Sequence, residues 1–275
     1  MSDLQVRQEP LRIVPTAVAT RPWRALGGKA SLHLVERHAR VYRHLWLMLA
    51  SGIAEPLFYL LSIGVGLGRL VPAVGGVSYA AYVAPALLAT SAMNGAIYDS
   101  TFNVFFLIKY AKTYDAALAT PMRAQDLALG QVLWALIRSA IYALAFTVVM
   151  LAMGLFHSYW AIGVLPAAVL TGFAFSAAGM AATTFMRSWQ DFEFVTLVSV
   201  PLFLFSATFF PLSVYPPAIA VVVRCTPLYQ AVALMRGLAL GAVGPGLLWH
   251  VAYLAIMGLV GLYIAGRRVE RLLLT

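Results

Sequence analysis

Residues 165–185 read LPAAVLTGFAFSAAGMAATTF, a stretch that contains no charged side chain. An α-helix of about 20 apolar residues is long enough to cross the hydrocarbon core of a bilayer. The stretch does not alternate between apolar and polar residues, as the strands of a membrane β-barrel do. A helix satisfies its backbone groups internally, which lipid requires. Residues 165–185 therefore predict a transmembrane helix.

Composition extends this prediction to the whole chain. Of the 275 residues, 62% are hydrophobic and 11% are charged, whereas about 25% are charged in an ordinary soluble domain. This excludes a disordered chain and argues against a soluble globule. We predict an all-α polytopic membrane protein with six transmembrane helices. The six predicted spans cover residues 45–68, 79–107, 126–153, 161–185, 192–210 and 247–266.

Basic residues predict the orientation of these spans. The formal net charge is +9, but its clustering outside the spans indicates membrane topology and not nucleic-acid binding. The N-terminal segment, the 108–125 loop, the 186–191 loop and the C-terminus hold most of the lysines and arginines. Cytoplasmic segments carry such an excess, so both termini are predicted to be cytoplasmic. Residues 1–28 are predicted to be a flexible leader, and residues 29–275 the transmembrane domain.

Two further helical segments are predicted outside the spans. Before the first span, apolar residues recur at helical spacing beside a basic face, which is typical of an amphipathic helix at the membrane interface. That apolar stripe consists of Leu32, Val35, Ala39, Tyr42 and Trp46. Between spans five and six, residues 211–246 contain several prolines and a short apolar stretch. We expect a pair of external re-entrant or surface-lying helices there.

Few functional motifs of soluble enzymes are present. No phosphate-binding loop occurs, and the five histidines and single cysteine are scattered. A structural zinc site needs clustered thiolate or imidazole ligands, so no metal site and no catalytic residues are predicted.

Three ionisable residues lie inside predicted spans: Glu55, Asp99 and Arg138. Such residues are costly in a membrane and suggest a function or a buried partner. At about 1.5 Å of rise per residue, the three lie at similar depths and can pair if their helices touch. The open interpretations are a structural ion cluster, a polar lining of a substrate path and a proton relay.

Several segments carry a family resemblance. They are EPLFYLLSIGVGLG (55–68), YVAPALLATSAMNGAIYDSTF (82–102), KTYDAALATPMRAQDLALGQ (112–131), LFSATFFPLSVYPPAI (204–219) and TPLYQAVALMRG (226–237). In order and spacing, the chain resembles the ABC type-2 transporter permeases, in the branch of nodulation lipo-oligosaccharide exporters and daunorubicin-resistance permeases.

The resemblance implies a partnership. Two permease copies, expected to be a homodimer, would pair with two separate ABC ATPase subunits that bind ATP and Mg, in the cytoplasmic membrane of a prokaryote. The loop between spans two and three would dock on the ATPase, and residues 209–211 would lie near the external exit. The docking residues would be Thr113, Tyr114, Asp115, Leu118, Thr120, Pro121, Met122 and Arg123, and the exit residues Phe209, Phe210 and Pro211.

The expected cargo is amphipathic: a lipid-linked saccharide, a glycolipid or a hydrophobic drug. One alternative is a proton-coupled secondary transporter that uses Glu55, Asp99 and Arg138, although no internal repeat supports it. Another is a membrane-embedded transferase, which the scarcity of polar groups in the spans disfavours.

Overall fold

A computed structural model describes residues 30–42, 54, 57–71, 73–109 and 124–274. The predicted leader over residues 1–28 and most of the predicted docking loop, residues 110–123, lie outside the described residues. The α-helices, numbered in chain order, are α1 (Ala30–Tyr42), α2 (Tyr79–Tyr98), α3 (Val104–Lys109), α4 (Ala124–Ala152), α5 (Val164–Thr183), α6 (Phe192–Phe205), α7 (Pro217–Cys225), α8 (Pro227–Leu240) and α9 (Gly246–Leu274). The shorter helical segments are two π-helices, Leu60–Gly66 and Asp99–Asn103, and four 3-10 helices, Leu67–Arg69, Tyr159–Gly163, Trp189–Asp191 and Leu212–Val214.

Four helical runs in the described part of the chain are long and apolar enough to cross a bilayer. They are Tyr79–Leu107, Gln125–Ala152, Tyr159–Thr183 and Gly246–Arg271. Each begins within a few residues of a span predicted from the sequence. Of the first predicted span, 45–68, the structure describes residue 54 and residues 57–68. Residues 57–68 belong to the helix Leu57–Arg69. The chain is therefore a polytopic helical membrane protein.

The fifth predicted span, 192–210, is too long by five residues. Helix α6 ends at Phe205, and Ser206 leaves the helical conformation. Ala207 then adopts a positive φ of 55°. At about 1.5 Å per residue, the regular part of α6 reaches roughly 21 Å, less than the thickness of a bilayer core. Apolar composition continues past the break, so hydropathy alone cannot locate it.

Helices α7 and α8 form the segment between the last two predicted spans. They meet at an angle of 86°, as in a broken span or a re-entrant loop. Thr226 sits at the corner, where its hydroxyl accepts a hydrogen bond from the Tyr229 backbone amide at 3.3 Å. Pro227 follows at the first helical position, which needs no amide donor.

A two-stranded hairpin departs from the predicted all-α fold. Strands β1 (Ala73–Val74) and β2 (Val77–Ser78) pair antiparallel. The turn between them consists of Gly75 and Gly76, whose φ angles are 61° and 86°. Two-residue hairpin turns favour glycine because both positions need positive φ.

Small residues let the helices approach closely in the centre of the bundle. Helix α5 packs against α2, α4 and α9, and α2 also packs against α4 and α8. The buried side of α2 is rich in alanine. Small residues at helix interfaces bring backbones together where lipid offers no hydrophobic driving force.

The amphipathic helix α1 packs on α4 through residues that lie beside the predicted apolar stripe. Its buried residues are Ser31 and Leu34, and Leu34 lies against Gly130 of α4. Leu32, which belongs to the predicted apolar stripe, is 59% exposed. The sequence pattern could not separate a face that meets protein from a face that meets lipid or solvent, because both are apolar.

His38 completes the contact between α1 and α4. Its Nδ1 donates to the Leu34 carbonyl oxygen at 2.7 Å, and its Nε2 accepts from the Gln131 amide at 3.4 Å. The imidazole stacks on Trp134, with ring centroids 5.5 Å apart. This arrangement needs a neutral imidazole, because a protonated Nε2 would point a second donor at the Gln131 amide.

We predict that α1 detaches from α4 in acid. Burial lowers the pKa of His38 from 6.5, and the charge of Arg37 lowers it further, against the raising effect of the Leu34 carbonyl. The neutral imidazole of His38 therefore stabilises docking at pH values above its ordinary pKa. This stabilisation is lost as the pH falls through the lowered pKa. Hydrogen exchange of residues 30–42, corrected for intrinsic rates, should therefore be faster at about pH 5 than at about pH 7.5.

The variant His38→Gln is the control, because its side chain does not titrate. Its corrected exchange should be the same at both pH values. Equal protection of α1 at both pH values in the unsubstituted chain would contradict this role of His38.

A second prediction concerns the packing of α9 on α5. A Cβ at Gly261 would lie 2.8 Å from the carbonyl carbon of Ala177 and 2.8 Å from the amide nitrogen of Ala178. Backbone atoms cannot move aside as a flexible side chain does, so Gly261→Ala should destabilise the chain by about 1–3 kcal/mol. Gly246→Ala, on the same helix with no atom within 4 Å, is the matched control. Equal thermal midpoints of the two variants in detergent would refute the close contact.

Candidate functional site

The short π-helix Asp99–Asn103 (the π-turn) lies between α2 and α3 and holds a buried carboxylate. The side chain of Asp99 is 4% exposed. Its Oδ1 accepts from the Asn103 amide at 2.8 Å and from Nη1 of Arg138 on α4. The π-turn places Asn103 one turn below Asp99, so both donors converge on one oxygen.

Arg138 also makes a contact within its own helix, α4. Its Nη2 donates to the Tyr142 hydroxyl at 2.6 Å, and its guanidinium carbon lies 5.5 Å from the centroid of that ring. Gly95 of α2 leaves room for the ring, since a Cβ there would lie 3.1 Å from Tyr142 Cδ2. The structure therefore joins two of the three predicted intramembrane charges, Asp99 and Arg138. Glu55 lies outside the described residues.

A seam of small polar residues binds α5 to the opposite side of the same turn. The Thr183 hydroxyl donates to the carbonyl oxygens of Ser100 and Gly179, at 2.9 Å from each. A Cβ at Gly179 would collide with the Ser100 side chain. The π-turn is therefore held by α4 on one side and by α5 on the other.

The predicted exit residues follow the end of α6. Phe209 packs edge-on against Phe203, with centroids 5.2 Å apart. Phe210 is 52% exposed, and Pro211 lines a cavity beside the start of α9. The structure therefore places the three residues at the break that ends α6.

Arg236 of α8 holds this break, and sequence reasoning counted it as a residue of an external loop. Its Nη2 donates to the carbonyl oxygens of Ala207 and Thr208, at 2.9 and 3.3 Å. Its Nε donates to the carbonyl oxygen of Tyr82 at 3.1 Å. The only sequence signal was a single arginine in an otherwise apolar helical pattern, TPLYQAVALMRG.

The described residues contain no group of three or more histidine, cysteine, aspartate or glutamate side chains able to hold a metal ion. Of the predicted docking residues, all eight, from Thr113 to Arg123, lie outside the described part of the chain. The flanking helices are described: α3 ends at Lys109 and α4 begins at Ala124. Because α2 and α4 pack side by side, the segment connects two ends of adjacent helices.

Comparison with known proteins identifies the family. The model of the ABC-2 type transporter family matches residues 31–240. Nodulation protein J of Rhizobium leguminosarum bv. trifolii is 34% identical over 227 residues, which are 82% of this chain and 87% of that protein. Nodulation protein J of Rhizobium meliloti (strain 1021) is 31% identical over 227 residues, 82% of this chain and 86% of that protein. The chain therefore belongs to the ABC-2 type transporter family, as a membrane permease related to Nodulation protein J.

Proposed function

We propose that this chain is the transmembrane subunit of an ATP-driven exporter that moves an amphipathic substrate across the cytoplasmic membrane of a prokaryote. The observation that carries the proposal is the family match over residues 31–240. The sequence has no phosphate-binding loop, so ATP and Mg would bind to a separate ATPase subunit. The apolar helices favour a lipid-linked saccharide, a glycolipid or a hydrophobic drug over a small ion.

The segment Thr113–Arg123 is proposed to dock on the ATPase. It mixes charged side chains with the apolar side chains of Leu118 and Met122, a composition that suits a docking patch. Its flanking helices lead to the Asp99–Arg138 pair, because α3 follows the π-turn that contains Asp99 and α4 contains Arg138. A displacement of the segment would therefore reach the π-turn directly, through α3.

The proposed complex has six spans per permease copy, cytoplasmic termini and two copies around the path. The span that ends with the helix over Leu57–Arg69 would be one of the two further spans, and α6 would be the other, completed by the irregular residues 206–210 because its regular helix is shorter than a bilayer core. Helix α6 buries only Phe192 of its residues within the chain and exposes large side chains, including Phe194 and Leu197. This apolar face favours contact with lipid or with the second copy.

The Asp99–Arg138 pair is proposed to be structural. It joins the π-turn to α4, it is surrounded by packed helices, and the two charges cancel. Phe209, Phe210 and Pro211 are proposed to lie at the external exit, because the break at the end of α6 is at the opposite end of the bundle from Lys109 and Ala124.

The docking proposal predicts a loss of partnership on substitution. Thr120→Asp/Met122→Asp places two negative charges in the apolar part of the segment. The tagged variant, purified from its native membrane, should lose most of the co-purifying subunit that carries a phosphate-binding loop, and with it the ATPase activity. Desolvating an unpaired charge at an interface costs several kcal/mol, enough for about a hundredfold weaker binding.

The matched control is Ser213→Asp/Val214→Asp, which adds the same charges at exposed positions near the other end of the bundle. Val214 is 67% exposed, so this variant should fold and retain the ATPase. Unchanged ATPase recovery with the Thr120/Met122 variant would refute the docking segment. Uphill transport by the purified chain alone under a proton gradient would refute the whole proposal in favour of a secondary transporter.

The structural role of the ion pair predicts a graded response at Arg138. Arg138→Leu leaves Asp99 buried without its charge partner, which costs about 3–5 kcal/mol. Arg138→Lys keeps the charge but loses the fork that serves both Asp99 and Tyr142, so its cost should be smaller. The monodisperse yield and thermal midpoint in detergent should fall in the order unsubstituted, Lys, Leu. Equal values for both variants would remove the structural role.

A further inference from the structure

A cavity of about 490 Å³ lies where α8, the start of α9 and the residues after α6 meet. Its volume is within the range of small-molecule sites. The polar side chains in its wall are Tyr82, Tyr229, Arg236 and His250, and its apolar wall includes Leu212 and Leu247. Tyr82 is in the first turn of α2, so the cavity is at the end of the bundle remote from residues 109–124. In the proposed topology this is the external end.

The charge of Arg236 has no acidic counterpart in the described structure. Its Nε and Nη2 are used by the carbonyls of Tyr82, Ala207 and Thr208, and its guanidinium carbon lies 3.9 Å from the centroid of the Tyr82 ring. The ion pairs among the described residues involve His33, Glu36, Arg40, Asp99 and Arg138, and none involves Arg236. No hydrogen bond joins its Nη1 to a described residue. The cavity wall therefore carries a fixed positive charge with donors to spare.

His250 adds a second polar group whose orientation is fixed. Its Nδ1 bonds to the Gln230 side-chain oxygen, and the Gln230 amide donates to the Arg224 carbonyl at 2.5 Å. With Nδ1 and its hydrogen committed to Gln230, Nε2 of the neutral ring is left as a hydrogen-bond acceptor, which a ligand hydroxyl can use. All the charged or titratable groups in the wall are thus arginine, histidine or tyrosine, and none is a carboxylate.

The depth of the cavity fits the headgroup layer. Trp249 precedes His250 and is 66% exposed, and tryptophans near the ends of spans mark the boundary between water and hydrocarbon. The strongest oxyanions at that depth in a bilayer are lipid phosphates. A guanidinium recognises phosphate with directed hydrogen bonds as well as charge, and the leucines beside it suit an attached apolar chain.

We propose that this cavity binds the phosphate of an anionic amphiphile of the phospholipid class, with Arg236 as the charge partner and Tyr229 as a hydrogen-bond donor, while Nε2 of His250 accepts from a hydroxyl of the headgroup. The site goes beyond the export function, because it requires neither ATP nor a partner subunit. Occupancy would supply the negative charge that the described structure lacks beside Arg236. It would also tie a lipid to the break at the end of α6, through the same arginine that holds that break.

The test is an equilibrium titration of the full chain in a neutral detergent with dihexanoyl phosphatidylglycerol below its micellar concentration, followed by tryptophan fluorescence. Zwitterionic dihexanoyl phosphatidylcholine and inorganic phosphate are the comparison ligands. We expect phosphatidylglycerol to bind about tenfold more tightly than phosphatidylcholine, as one charge-assisted contact provides. Inorganic phosphate should bind at least about tenfold more weakly than phosphatidylglycerol, because it has no apolar chain.

The variant Ala242→Asp tests the cavity at an exposed position of its rim. Its carboxylate would compete for Arg236 and should weaken phosphatidylglycerol binding about tenfold, whereas the neutral Ala242→Asn should stay within about twofold. Arg236→Gln should remove the preference for the anionic lipid. Arg236 also holds the end of α6, so the binding result of Arg236→Gln counts only if its thermal midpoint is retained. The comparison of Ala242→Asp with Ala242→Asn tests lipid binding in the cavity independently of Arg236→Gln.

Three outcomes overturn the proposal. Equal affinity for the two lipids would mean that charge is not recognised. Equal affinity for phosphatidylglycerol and inorganic phosphate would mean a simple anion site. An unaltered affinity in Ala242→Asp would mean that the lipid binds elsewhere. None of these measurements depends on ATPase binding or transport, so the export proposal stands or falls separately.

Discussion

The satisfaction of backbone carbonyls at helix breaks is the constraint on which this bundle depends. In an apolar surrounding, an unbonded backbone group costs several kcal/mol, and water is not there to replace the missing partner. In the π-turn Asp99–Asn103, the Ser100 carbonyl accepts a hydrogen bond from the Thr183 hydroxyl. After Phe205, where α6 ends, the carbonyls of Ala207 and Thr208 accept hydrogen bonds from the Arg236 guanidinium. At each of these irregular stretches, a side chain from another helix donates to the backbone.

Close packing makes these partners available. Gly179 lets α5 approach the π-turn closely enough for Thr183 to reach it, and a side chain at that position would collide with Ser100. The same holds at Gly261, where α9 meets the backbone of α5. Small residues and side-chain donors thus act together: the first bring the helices within reach, and the second use the proximity to stabilise irregular backbone.

Hydropathy predicted the long helices well and the irregular parts poorly. The runs Tyr79–Leu107 and Gln125–Ala152 begin and end within a residue or so of the predicted spans, because a bilayer demands a continuous apolar stretch. The end of α6 was predicted too late, because residues 206–210 contain no charged side chain and end in two phenylalanines although the helix has stopped. The contact of α1 with α4 was not predicted, since Leu32 and Leu34 are equally apolar but only Leu34 is buried.

The residues of the candidate site were likewise predicted only in part. Asp99 and Arg138 stood out because charges inside spans need partners, and the structure brings them together. Arg236 did not stand out, because a base outside the predicted spans is ordinarily a topological marker and nothing in the sequence shows which carbonyls it will meet.

The two arginines differ in a way that separates structure from recognition. Arg138 faces a carboxylate, so its charge is neutralised within the chain by a residue of a neighbouring helical segment. Arg236 faces carbonyl oxygens and an aromatic ring, which use its Nε and Nη2 donors but leave Nη1 and the positive charge available. A charge held away from bulk water without a counter-ion is costly, and an anionic ligand removes that cost. The position of Arg236 at an open cavity, and not in the packed core, allows such a ligand to reach it.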